Sequence, residues 1–398
     1  MCLRCEATAG LLRTRKAEEA VLLIFAAVVA IFVYGMTAAM LGTILPELSS
    51  RFRLTPRQNG TIAFAQALGL MVASLGVGPL LDDFGKKAGL IIGLGLIGLS
   101  LNLLPKVAGY RSVVFLLFLL GCGGGVVVTG ANALTSDVVE AHRATALNLV
   151  NIFFGLGGLA TPLLAANLLK RDWARLCYSV AGLTLVALVV QVVAHMPPAT
   201  GTGRFIFADA GPVLGRPMLV LLGFLLFLYV GCEVDVWNWL VRHLVEQGVP
   251  ESRALNILSL GFALGLLIGR AVVSPILISV PPIYVTLCAS VAMTVTTFFM
   301  LRTSRTGTAA VLVFLAGLSM APVFPTTLAM VADAFPRMTS TAIGIVITCG
   351  WAGLAVSSHL VGAIAGSDPK RIRRALLVIP ASAVLMVIIN AGILAAAR

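Results

Sequence analysis

A single offset of 196 residues lays the first half of this 398-residue chain over the second. Ala67-Leu68-Gly69-Leu70 recurs as Ala263-Leu264-Gly265-Leu266. At the same spacing Gly35 meets Gly231, Pro79 meets Pro275, Gly121 meets Gly317 and Asp137 meets Asp333, and Thr145-Ala146 and Gly157 meet Thr341-Ala342 and Gly353. A chain rich in Leu, Ala and Gly matches itself often by chance. The rarer Pro and Asp pairs and the four-residue run, all at one offset without gaps, mark a duplicated unit.

The unit is not a water-soluble one. The chain is 59% hydrophobic and only 11% charged, against about 25% charged residues in soluble domains, so too few charges exist to solvate a globular surface. The long unbroken apolar runs suit helices, not the alternating ten-residue strands of a membrane barrel. A spanning helix needs about 20 mostly apolar residues. Such segments lie near 20–45, 58–81, 88–105, 112–135, 144–169 and 176–196, and again near 217–241, 254–277, 283–301, 309–332, 340–363 and 374–397. The expected fold is all-α: twelve transmembrane helices as a six-helix bundle over 1–196, a Pro- and Gly-rich linker over 197–216 and a second six-helix bundle over 217–398. Membrane chains built from two related halves are usually transporters with the solute path between the halves.

The net charge of +12 comes from basic residues scattered over short loops, without a dense run or interleaved aromatics, which fits a lipid bilayer surface and not nucleic acid. Cys2 and Cys5 form an isolated CxxC without a second pair, so no metal site is expected. The first twenty residues lack a short apolar core followed by a small-residue cleavage site, so no removable leader is expected. Gly121-Cys122-Gly123-Gly124-Gly125 lacks the Lys and Ser or Thr of a phosphate cradle, and no catalytic constellation is present. The chain is therefore not read as an enzyme, and no cofactor is expected.

Between the second and third segments stands Gly78-Pro79-Leu80-Leu81-Asp82-Asp83-Phe84-Gly85-Lys86-Lys87. This resembles the loop signature G-x-L-x-D-R-x-G-R-K of the major facilitator superfamily, with Asp83 in place of the first Arg. Shorter patches are similar to the fucose and glucose/galactose permease branch: Phe227 to Glu233, Ile268-Gly269-Arg270, Pro322-Val323-Phe324-Pro325-Thr326, and the stretch holding Asn148, Asn151 and Phe153. The resemblance implies a cytoplasmic gating loop of Gly78, Asp82, Gly85, Lys86 and Lys87. In it Asp82 meets a helix N-terminus of the other half, and the lysines reach Asp137 or Glu140; Asp137 and its mate Asp333 complete the gating set. An even span number puts both termini on one side, so the loop places them in the cytoplasm of a plasma (inner) membrane. Basic residues are nevertheless more numerous on the opposite side, against the usual bias. The branch's proton symporters use acids within the first and fourth spans; this chain has none before Glu47 and Asp137, at the ends of those spans.

Ionisable residues at membrane depth are functional candidates because a charge there costs on the order of 2.5 kcal/mol or more. Glu233, Asp235, Arg270 and His359 form the coupling set; Glu233 leads it, Asp235 can pair with Arg242, and Arg270 with Glu233 or with a substrate carboxylate. Gln66, Asn132, Asn148, Asn151 and Asn238 offer amides, and Trp237, Phe324 and Trp351 aromatic faces, which suits a sugar or similar small polar solute taken up with a proton or sodium ion by a monomer. An exporter of drugs or amphiphiles, or a non-transporting receptor or scaffold, uses the same fold and stays open at this point.

Overall fold

The computed structural model describes residues 3–169, 172–196, 215–365 and 371–396. The expected linker lies outside the described residues except for Gly215 and Arg216, as do the side chains of Cys2 and Cys5. Among the described residues twelve helices are long and apolar enough to cross a membrane: α1 Glu18–Phe52, α2 Arg57–Phe84, α3 Lys86–Lys106, α4 Tyr110–Val138, α5 Glu140–Leu163, α6 Trp173–Val193, α7 Pro217–Glu246, α8 Glu251–Ile276, α9 Pro282–Arg302, α10 Thr306–Ala334, α11 Thr339–Ala365 and α12 Ile372–Ala395. They fall on the twelve expected segments. The helix of α1 starts further out, at Leu3.

Local chemistry sets several of these boundaries. Thr55 and Gln58 form a reciprocal capping box at the start of α2, with Pro56 in the first turn where its missing N–H costs nothing. Gly85, at φ 91°, makes the turn from α2 into α3, a backbone region that side chains with a Cβ rarely enter. Asp172 caps α6 through the main-chain N–H groups of Ala174 and Arg175. Proline interrupts α10: the helix breaks at Ala321 and Pro322, and Pro325 has no N–H to offer the carbonyl of Ala321.

The six helices α1–α6 pack chiefly on one another, as do α7–α12. The outer helices α3, α6, α9 and α12 turn apolar side chains such as Ile92, Leu185, Val295 and Ile388 outward, as a lipid-facing surface requires. Within each bundle the 196-residue repeat has a structural meaning. A Cβ on Gly69 would strike the Phe118 carbonyl and one on Gly121 the Gln66 carbonyl, where α2 crosses α4. Their mates behave alike: Gly265 abuts the Phe314 carbonyl and Gly317 the Phe262 carbonyl, where α8 crosses α10. Gly157 on the Phe32 carbonyl and Gly353 on the Phe227 carbonyl do the same for α1–α5 and α7–α11. The echo thus records backbone-to-backbone crossings that only glycine permits.

Candidate functional site

The bundles meet along two related edges, α2 against α11 and α5 against α8, with α10 also touching α5. On the first edge Asp82, 8% exposed, accepts hydrogen bonds from the main-chain N–H of Ser340 (3.0 Å) and Thr341 (2.9 Å) and from the Thr341 hydroxyl (2.7 Å). A carboxylate seated on the unsatisfied N–H groups of a helix start is favoured by hydrogen bonding and by the helix dipole. One turn deeper, a Cβ on Gly78 would lie 2.6 Å from the Thr341 Cα, and Gly344 presses on the Ser74 carbonyl. The Thr348 hydroxyl reaches the Met71 carbonyl at 3.5 Å. From Asp82 to Met71 is eleven residues, about 16 Å of helix, so this edge is closed through about half of a bilayer core of about 30 Å.

The second edge repeats the plan with different side chains. The mates of Gly78 and Thr341 are Ser274 and Thr145, and here the Thr145 hydroxyl donates to the Ser274 carbonyl at 3.0 Å. The mates of Ser74 and Gly344 are Arg270 and Asn148. The tight backbone contact of the first edge is therefore replaced by a polar cluster. Asn148 donates to the Ala144 carbonyl (2.8 Å) and to the Thr326 hydroxyl on α10 (3.0 Å). Asn151 donates to Asn132 Oδ1 (2.8 Å) and to the Leu147 carbonyl (2.9 Å), and Asn132 to the Val128 carbonyl (2.7 Å). Arg270, 5% exposed, donates through Nη1 to the Asn151 carbonyl of the other bundle (2.6 Å) and through Nε to the Ala321 carbonyl (3.4 Å), the acceptor that Pro325 leaves without its helical donor.

Ion pairs complete the closed face. Lys86 meets Asp137 at 2.5 Å within the first bundle, and Arg143 meets Asp333 at 2.5 Å between bundles. Lys87 departs from expectation: it donates to the Val192 (2.7 Å) and Ala194 (2.9 Å) carbonyls at the end of α6, where a cation completes exposed C=O groups, and it does not meet Asp137 or Glu140.

The intramembrane acids lie toward the opposite face on α7. Asp235 is fully buried; the expected Asp235–Arg242 pair is absent, because Arg242 bonds Glu246 at 3.1 Å and leaves Asp235 to the Ser357 hydroxyl of α11. The other carboxylate oxygen, Oδ1, is buried without a partner. Asn238, one turn on, donates to the Ser358 hydroxyl at 3.3 Å. Glu233 is half-buried; the expected Arg270–Glu233 pair is also absent, since the guanidinium reaches the two main-chain carbonyls instead. Tyr229, fully buried, sets its hydroxyl beside Glu233 and lies within the electrostatic reach of Arg270.

The remaining candidates are dispersed. Gln66 is buried with an unpartnered Oε1, Phe324 and Trp351 are half-buried, Trp237 stands edge-on to Phe262 at 5.4 Å between centroids, and His359 is exposed on α11. The structure brings together Asn132, Asn148, Asn151 and Arg270, and separately Asp235 and Asn238. The sequence reading missed Ser357, Ser358, Arg143, Thr326 and Tyr229. The adjacent serines of α11, beside His359, were a visible signal, and Tyr229 and Thr326 lay within the Phe227–Glu233 and Pro322–Thr326 patches.

Residues 27–394 match the family model described as Major Facilitator Superfamily. The chain belongs to that superfamily. The transporter's architecture agrees with solved members: it superposes on FucP in the outward conformation with a TM-score of 0.80 at 18% identity, covering 94% of this chain and 99% of that one. On the proton:xylose symporter XylE the TM-score is 0.77 at 12% identity, covering 94% and 95%. Among curated relatives, the glucose/mannose transporter GlcP of Bacillus subtilis is 22% identical over 349 residues, 83% of this chain and 85% of the relative. The glucose/galactose transporter of Brucella abortus biovar 1 is 26% identical over 259 residues, 60% and 63%. The branch resemblance read from the motifs is thus borne out, and the chain is a multi-pass membrane transporter and not an enzyme.

Proposed function

We propose that this transporter moves a small polar solute, a sugar, together with a cation, by rocking two bundles, 1–196 and 217–398, joined by the linker 197–216. Asp235 carries the coupling reading: a fully buried carboxylate with a hydroxyl partner and no basic one, beside the α7–α11 crossing, suits reversible loading with a proton or sodium ion. Glu233 stands in the same half and supports the same role, with Arg270 and His359 as further members. The printed names of the glucose/galactose and glucose/mannose relatives support the sugar, as do the amides and aromatic faces of Gln66, Asn132, Asn148, Asn151, Trp237, Asn238, Phe324 and Trp351. The closed face is read as cytoplasmic, with both termini there in a plasma membrane, and the Asp82 loop as its gate. The working unit is a monomer.

Uptake of labelled glucose into proteoliposomes, with and without an imposed proton or sodium gradient, tests this. Accumulation driven by one gradient, and abolished by Asp235→Asn while sugar exchange without a gradient persists, is expected. Gradient-driven accumulation unaffected by Asp235→Asn removes the coupling assignment; no movement of sugar under any gradient removes the sugar reading.

A further inference from the structure

We propose that the solute carries a carboxylate, as in a sugar acid, and that Arg270 seats it; this rests on the sugar-transport reading above. The guanidinium has five N–H donors. Nε and Nη1 reach the Ala321 and Asn151 carbonyls, whereas Nη2 has no partner and is not among the buried unpartnered atoms, so this edge opens onto accessible space. That space is interior, since Arg270 is only 5% exposed and is held between α5 and α10. Two main-chain carbonyls supply dipoles but no negative charge, and the Glu233 carboxylate, which acts on the same Tyr229, makes no ion pair with Arg270. A buried guanidinium without an ion partner is a costly arrangement, and a carboxylate from the solute relieves it by a charge-assisted bond.

The repeat gives an independent reason to place a ligand here. On the related edge, Ser74 and Gly344 close backbone to backbone and leave no room. At the mates of those two residues the chain has put a long cation and an amide, Arg270 and Asn148, and the amide oxygen of Asn148 is buried without a partner. Tyr229, within electrostatic reach of Arg270, adds a buried phenol that stands beside Glu233. Cation, amide and phenol together suit a polyhydroxylated acid better than a neutral sugar. The bond from Nη1 to Asn151 also crosses the bundle interface, so an anion on the same guanidinium competes with a contact that holds the closed face.

Binding to purified, folded protein is measured for three probes: D-glucuronate, its methyl ester and D-glucose. The acid is expected to bind at least about tenfold more tightly than the uncharged ester, as an added charge-assisted bond implies. Arg270→Gln brings that ratio toward one, and Arg270→Lys keeps part of it. Equal affinity of acid and ester in the unaltered protein, with glucose bound, overturns the carboxylate seat and leaves sugar transport standing. An unchanged ratio in a folded Arg270→Gln protein overturns the role of Arg270. No binding of any of the three to protein with a sharp melting transition overturns both readings. If Arg270→Gln does not fold, the acid-to-ester ratio of the unaltered protein decides.

Discussion

At the scale of single residues, burial ranks the polar contacts across the interface. Asp82 and the Arg143–Asp333 pair both join the two bundles, yet they are not equal. Asp82 is buried and makes three bonds to one helix start. The Asp333 side chain is 52% exposed, where ion pairs contribute about 0–1 kcal/mol. Hydrogen bonds to a charged group contribute about 1.5–3 kcal/mol. Asp82→Ala is therefore expected to weaken the closed state by about 2–3 kcal/mol, shifting the open-to-closed ratio by about 30- to 150-fold. Accessibility of a cysteine placed at Ser74 to thiol reagent from the termini side reads this shift, and unchanged labelling would exclude Asp82 as a main fastener. That contact was legible in the loop signature. The destination of Lys87 was not, because it depends on where the end of α6 falls in space.

At the scale of helices, the glycine crossings carry the bundles' geometry. A valine at Gly121 meets the Gln66 carbonyl, and a valine at Gly317 meets the Phe262 carbonyl. Neither obstacle is a flexible side chain that can swing aside. Gly121→Val and Gly317→Val are each expected to destabilise the protein by about 1–3 kcal/mol, as overpacking does, and to lower the melting temperature by similar amounts. A difference of more than twofold between the two shifts would contradict the equivalence of the α2–α4 and α8–α10 crossings. The sequence made these crossings visible through their spacing alone. It did not reveal the partner of Asp235, since Ser357 is 122 residues away and the α7–α11 crossing has to be built first. Reading Asp235 with Arg242 followed helical spacing, but Arg242 had a nearer acid at Glu246, one turn along the same helix.

At the scale of the whole molecule, the inter-bundle bonds gather on the side where α2 ends and α11 begins, which fixes the state on view as closed at that face. Swapping the charges of Arg143 and Asp333, as Arg143→Asp with Asp333→Arg, is expected to restore transport lost in either single reversal to within about threefold of the unaltered rate, because an exposed pair needs opposite charge more than fixed geometry. Failure of the double reversal to recover would assign Arg143 its main duty at the Ser136 carbonyl, which its Nε also contacts at 2.9 Å. The twelve-helix plan, its two sets and the loop were legible because apolar length and repetition are properties of the chain itself. The seal and the Arg270 cluster were not, because they depend on residues from different halves meeting.

The unequal edges say something about descent. Two separate copies of a six-helix subunit, related by a twofold axis, must present the same residues at both of their junctions. A glycine-tight junction on one side and an Arg-bearing one on the other are forbidden to such an ancestor. Joining the copies into one polypeptide lifted that restriction, so that Ser74 and Arg270, at one ancestral position, could part ways. One junction could then specialise in shutting while the other kept room for chemistry.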